Sequence, residues 1–264
     1  MTFQKKLDSI IKKNNSLLCV GLDSRFEKLQ KAFQKKDYPQ FAFNKWIIEQ
    51  THDLVCAYKP NIAFYEERGV DGIKELEMTC HYLAKYYPEI PIILDAKRGD
   101  IGSTNEGYTQ FAFEYLRTDA VTLHPYLGKE AMEPFLKRKD KGSIVLCRTS
   151  NPGSGEFQNI SGLYKKVAKA VSQSWNTNKN CMLVVGATYP KELAAVRKMV
   201  GDMTLLIPGI GAQGGDVEKT VKAGLNSQNA GMIINSSRGI IFAKDPREEA
   251  KKLRENINKY RISK

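Results

Sequence analysis

Residues 90–104 read IPIILDAKRGDIGST. The stretch opens as a short, β-branched apolar run with no polar alternation, the composition of a parallel strand covered on both faces. It then passes without a spacer into four charges, Asp95, Lys97, Arg98 and Asp100, with Gly99 and Gly102 beginning the turn to a helix. An α/β protein has such a place: the C-terminal end of a buried strand, where chemistry gathers.

Outward from this stretch the same form recurs. LLCVGLD (17–23), VCAYKPN (55–61), AVTLHP (120–125), SIVLCRT (143–149), MLVVGAT (182–188), TLLIPGI (204–210) and GMIINSS (231–237) join 90–97 as eight candidate strands. Helix-like segments separate them. VDGIKELEMTCHYLAKYY (70–87) places Val70, Ile73, Leu76, Leu83 and Tyr87 near one helical face. DPREEAKKLRENINKY (245–260) opens with an Asp N-cap and Pro at the first helical position. Eight βα units in 264 residues predict an α/β fold, a closed (β/α)8 TIM barrel over residues 1–264 with no second domain. An open, doubly wound sheet is the alternative.

Composition narrows the function. With 42% hydrophobic residues the chain can fill one large core, and no apolar run approaches the ~18 residues that would span a membrane. Phe3, Leu7, Ile10 and Ile11 make the start a packing helix rather than a secretory signal. Five scattered cysteines without a C-x-x-C pair predict buried, reduced thiols and a cytoplasmic setting, and three histidines are too few for a convincing zinc site. The net charge of +12 admits nucleic acid or a small acidic ligand. The lysines are spread over the helical segments with no aromatic-interleaved stripe, which favours the small anion.

The strand ends carry the chemistry: Asp23, Lys59 with Asn61, Asp95 with Lys97, His124, Thr149 with Ser150, Thr188, Pro208–Gly211 and Ser236–Arg238. Side chains two apart on a strand share a face, so Asp95 and Lys97 are expected to point together into the barrel mouth while Ala96 packs outward. An ammonium fixed by carboxylates can neutralise developing negative charge and then donate a proton; a structural ion pair closing the barrel is the other reading. PGIGAQGGD (208–216) and NSSRG (235–239) combine glycine-freed backbone amides, a helix start and a guanidinium where a barrel usually binds phosphate, although the glycines also suit tight turns. RTSNPGSGEFQNISG (148–162) is a long polar segment, either a lid that reads a heterocycle or a surface loop.

Lys59-x-Asn61, Asp95-x-Lys97-x-x-Asp100-Ile101, Thr104, PGIGAQGG and SSRG resemble the orotidine 5′-phosphate decarboxylases, in order along essentially the whole chain. DAKRGDIGST and RTSNPG resemble the longer subgroup of that family, in its form without a fused phosphoribosyltransferase. The resemblance implies a barrel homodimer that converts orotidine 5′-monophosphate to UMP and CO2, the last step of UMP synthesis, without metal or organic cofactor. It implies that Lys97 protonates C6, that Asp95 holds Lys97 beside the departing carboxylate, and that Lys59 and Asp100 complete the charged array. Asp100, Ile101 and Thr104 would reach the site from the partner subunit. Asp23 and Lys59 would bind ribose, Ser150 the pyrimidine, and Gln213 and Arg238 the phosphate. Asn61 and Pro208 would add substrate contacts. The alternatives are a Mg-dependent barrel such as 3-keto-L-gulonate 6-phosphate decarboxylase, or a silent basic barrel that binds nucleic acid.

Overall fold

The computed structural model describes residues 1–211 and 214–262. All eight candidate strands form: β1 Leu18–Gly21, β2 Ala57–Lys59, β3 Ile93–Arg98, β4 Ala120–Leu123, β5 Gly142–Arg148, β6 Cys181–Val185, β7 Leu205–Pro208 and β8 Met232–Ser236. They are parallel, in the order β2-β1-β8-β7-β6-β5-β4-β3. Two single bridges, Tyr58 to Ile92 and Asn61 to Asp95, bring β2 against β3 and close the ring. The barrel is therefore the observed fold and the open sheet is excluded. Several paired strands are shorter than their apolar runs. The ladder stops near the mouth, and Asp23, Asn61 and Thr188 lie beyond it, on the connections that lead to the helices.

The residues responsible are the expected ones. Every residue of β1, β2, β4, β5, β6 and β8 is buried. The helix Phe3–Asn14 buries Phe3, Leu7, Ile10 and Ile11. Phe3 sits where a side chain on Gly142, the first residue of β5, would intrude, so this helix covers the N-terminal floor of the barrel. Asp245 caps the helix Pro246–Ile262, accepting from the Glu248 N–H at 3.0 Å. The five cysteines are all buried and unbonded to one another. Among the described residues no helix is long and apolar enough to cross a membrane.

One helical face differs from expectation. Val70 is 86% exposed, while Leu76, Thr79, Cys80 and Leu83 of the helix Gly69–Tyr86 are buried. Val70 lies about 120° around the helix from Leu76. The face that packs is instead completed by Gly72 and Glu75, and Glu75 is accommodated because it pairs with Arg68 and accepts from the Phe41 N–H at 2.9 Å.

Candidate active site

The strand ends surround a cavity of about 490 Å³. Asp23, Lys59, Asn61, Asp95, Lys97, Ser150, Pro208 and Arg238 all line it. Closure of β2 on β3 puts Lys59, 36 residues away in sequence, at 2.7 Å from Asp95 Oδ2. Lys97 Nζ is 2.7 Å from Oδ1 of the same carboxylate, and the Thr122 hydroxyl donates to that oxygen at 2.9 Å. One buried carboxylate thus holds two ammoniums. Burial alone would raise its pKa, but the charges of Lys59 and Lys97 outweigh it and keep Asp95 far below the usual carboxylate range. Burial likewise opposes the charge on Lys59, and Asp95 and Asp23 reverse the effect, holding its pKa well above that of a free lysine. Asp95 and Lys59 are therefore both ionised throughout the neutral range.

Asp95 and Lys97 do meet, but not by the regular alternation of a strand. Leu94 pairs with Val121 and Arg98 with Leu123, so Asp95, Ala96 and Lys97 together face the single residue Thr122. Lys97 takes φ +47°, the left-handed region, which costs a residue with a Cβ about 1–2 kcal/mol. Its N–H, removed from the ladder, donates to Thr122 Oγ1 at 2.9 Å. The bulge turns the Lys97 side chain back over the barrel axis, and Ala96 packs partly buried against the core.

Around the array the cavity has distinct walls. Asp23 Oδ1 is buried in it without a hydrogen-bond partner, a position suited to a ligand hydroxyl. Asn61 Oδ1 accepts from the Ala63 N–H at 3.2 Å, just ahead of the short helix Ala63–Glu66. His124 lines the same space, and burial together with neighbouring Lys97 lowers its pKa, leaving the imidazole neutral at pH 7. On the far side Gly209, Ile210 and Ser237 stand with Pro208 and Arg238. Gly209, Gly211 and Gly214 have positive φ, so the turn by itself requires glycine there. Gln213 lies outside the described residues.

The segment after β5 is folded rather than loose. Short helical turns run through Pro152–Ser154, Gly155–Gln158 and Ile160–Gly162. Arg148, 2% exposed, donates to the Ser154 hydroxyl and lies 3.7 Å from the centroid of the Tyr189 ring. Gln158 accepts from the Thr149 N–H and donates to its hydroxyl, both at 2.8 Å. Ser150 is thereby presented to the cavity beside Thr149, Asn151 and Gln158.

Asp100, Ile101 and Thr104 do not line the cavity of their own chain. Asp100 Oδ1 accepts from the Ile101 N–H at 2.7 Å, Ile101 is 62% exposed, and Thr104 borders a separate groove with Arg98, Tyr108 and Phe111. Thr122 lines the cavity without having been singled out by the sequence, and Gln158, Asn151 and Asn235 stood out only as members of the longer stretches 148–162 and 235–239. Thr122 had a signal, since it precedes His124 by two in an otherwise apolar run; Asn235 is on β8, and Gln158 and Asn151 are polar residues whose direction depends on loop folding. Among the described residues no three of His, Cys, Asp and Glu gather as a metal site.

Residues 16–253 match the model of the orotidine 5′-phosphate decarboxylase / HUMPS family. The chain belongs to this family. It is 49% identical to orotidine 5′-phosphate decarboxylase of Cellvibrio japonicus, over 98% of each chain. It is 50% identical to that of Cupriavidus necator, over 99% of each. The structure of Leishmania donovani OMP decarboxylase superimposes with a TM-score of 0.90 at 40% identity, covering all of both chains. Leishmania donovani UMP synthase matches with a TM-score of 0.93 at 42% identity, all of this chain covering 57% of that one. The matched residues span all eight strands of the barrel.

Proposed function

We propose that the chain decarboxylates orotidine 5′-monophosphate to UMP and CO2, with Lys97 as the proton donor. The observation that carries this reading is the Asp95 carboxylate clamped between Lys59 and Lys97 at 2.7 Å each, in a cavity that also holds the unpartnered Asp23 Oδ1. The C6–carboxylate bond breaks and its electron pair remains on C6, in an orbital poorly conjugated with the ring carbonyls. Lys97 beside C6 stabilises that charge and transfers a proton to it; the neutral amine then regains a proton from solvent. Asp95 fixes the ammonium and faces the departing carboxylate.

The remaining residues bind. Asp23 and Lys59 take ribose hydroxyls, Asn61 and Pro208 add contacts, Ser150 reads the pyrimidine, and Arg238 with Gln213 holds the phosphate. Phosphate affinity contributes to turnover if it drives closure over the base. Asp100, Ile101 and Thr104 complete the site of a second copy in a homodimer, a reading supported by the exposure of Ile101 and Thr104 and by the absence of all three from the lining of their own cavity. The reaction uses no metal or organic cofactor, takes place in the cytoplasm, and involves neither nucleic acid nor membrane.

The test follows orotidine 5′-monophosphate absorbance with purified protein in EDTA. Undiminished turnover supports the proposal. Activity lost to the chelator and restored by Mg²⁺ would favour the sugar-phosphate branch, and no turnover in either condition would reject the decarboxylase reading.

A further inference from the structure

Thr122 belongs to no charged motif, yet it is the one residue of β4 set opposite the three-residue bulge of β3. It is 1% exposed. Its hydroxyl makes two bonds of 2.9 Å with different consequences. It accepts the Lys97 N–H, a donor that the interrupted ladder leaves without a strand partner, and it donates to Asp95 Oδ1, the oxygen that also holds Lys97 Nζ. A single hydroxyl therefore grips Lys97 at its backbone and, through Asp95, at its ammonium.

We infer that Thr122 is a positioning residue for the proton-donating lysine, fixing the left-handed backbone of Lys97 and the rotation of the Asp95 carboxylate together. The inference rests on the proposed role of Lys97. Neither bond alone suffices. The amide contact sets where the Lys97 side chain starts, and the carboxylate contact sets where it ends. Lys97 is 44% exposed, so packing alone does not hold its long side chain. Without the hydroxyl, the Lys97 amide loses its acceptor and one Asp95 oxygen loses a donor, and the bulge can relax toward negative φ. A misplacement of about 1 Å in a catalytic group can cost ~100-fold in rate. Although Thr122 lines the cavity, its one hydroxyl is committed to Lys97 and Asp95 and the assigned ribose, base and phosphate contacts lie on other residues, so substrate affinity should be spared.

The experiment compares Thr122→Val, which keeps the shape and removes the hydroxyl, with Thr122→Ser, which keeps the hydroxyl. For Thr122→Val, kcat should fall roughly 10- to 100-fold with KM and UMP affinity within about threefold of wild type, and Thr122→Ser should stay within about threefold in kcat. A crystal structure of the Val variant should show Lys97 shifted or no longer at positive φ. Wild-type turnover in the same assay tests the underlying reading separately, and the crystal structure reads the positioning without any assay. The inference is overturned if folded Thr122→Val keeps wild-type kcat, if its loss falls on KM instead, if Thr122→Ser is equally impaired, or if Lys97 is unmoved. Thr122→Ala is the substitute should the Val variant not fold. If neither hydroxyl-free variant folds while Thr122→Ser is normal, Thr122 serves the fold and the inference also fails.

Discussion

The two ends of the barrel treat their charged groups differently. At the floor, Arg197 spends its guanidinium on four backbone carbonyls: Gly224 at 2.8 Å, Gly201 at 2.6 Å, and Met203 and Gly231 at 2.7 Å. Gly201, Met203 and Gly231 lie on the connections entering β7 and β8, and Gly224 ends the helix Val217–Gly224. Across the same end, ahead of β3 and β4, Asp119 accepts from Lys6 at 2.8 Å and from the Ile92 N–H at 2.9 Å. These charged groups are matched to partners, although Ser143 Oγ and Asn180 Oδ1 at the same end are buried without one. At the mouth, Asp23 keeps a buried oxygen without a partner, Lys97 is held at positive φ, and one carboxylate serves two ammoniums. Unpartnered buried atoms occur at both ends, so what marks the mouth as the end for a ligand is their combination with an open cavity, a strained lysine and concentrated charge.

If that division is right, mutations at the two ends should separate activity from stability. The largest effect is expected for Lys97→Ala, which should reduce turnover by ~10³-fold or more while leaving UMP binding and the thermal midpoint nearly unchanged. Near-wild-type turnover would remove Lys97 from the mechanism and make the mouth a second structural network.

A second test asks whether one chain contains a whole mouth. Lys97→Ala and Asp100→Ala proteins, each inactive alone, should regain activity when unfolded and refolded together, because a mixed dimer has one site with both native residues. Random pairing restores about a quarter of all sites. Subunit exchange verified by mass spectrometry without recovery would return Asp100 to its own subunit.

At the floor, Arg197→Met should preserve kcat and KM of the folded protein but destabilise it by roughly 2–4 kcal/mol, since several carbonyls lose their donor. For a chain of this size that is a fall of about 5–15 °C in Tm. Loss of activity in protein that remains folded would show the two ends to be coupled.

The smallest effect is one of pH. Asp95 has a folded-state pKa below its unfolded value, so its ionic contribution is fully present above the unfolded pKa of about 4 and is lost as pH falls through the lower folded value. Lys59 has the opposite sign: its contribution holds below about pH 10.5 and is lost as pH rises through its raised folded value. The difference in urea unfolding free energy between wild type and Asp95→Asn should therefore be flat from about pH 5 to 9 and shrink on the acid side. A difference that grows as pH falls would contradict the assigned ionisation.

Periodicity and composition were enough to determine eight parallel strands, the packing face of the first helix, the Asp245 cap and the residue types at the strand ends, because burial on both faces leaves a mark on every residue of a strand. They were not enough for Val70, whose apolar side chain faces solvent while Glu75 is buried by its partners. Nor could they join Lys59 to Asp95, since that pair exists only once β2 closes on β3. The Asp-x-Lys pairing was legible, but its geometry was not: alternation placed the two side chains together, and the tertiary structure does so by a bulge with Lys97 at positive φ, braced by a threonine from the next strand. Local sequence determines what each residue prefers. Strand register, ring closure and the satisfaction of buried polar groups are properties of several strands at once, and they decided which of the charges at this mouth stand within reach of one another.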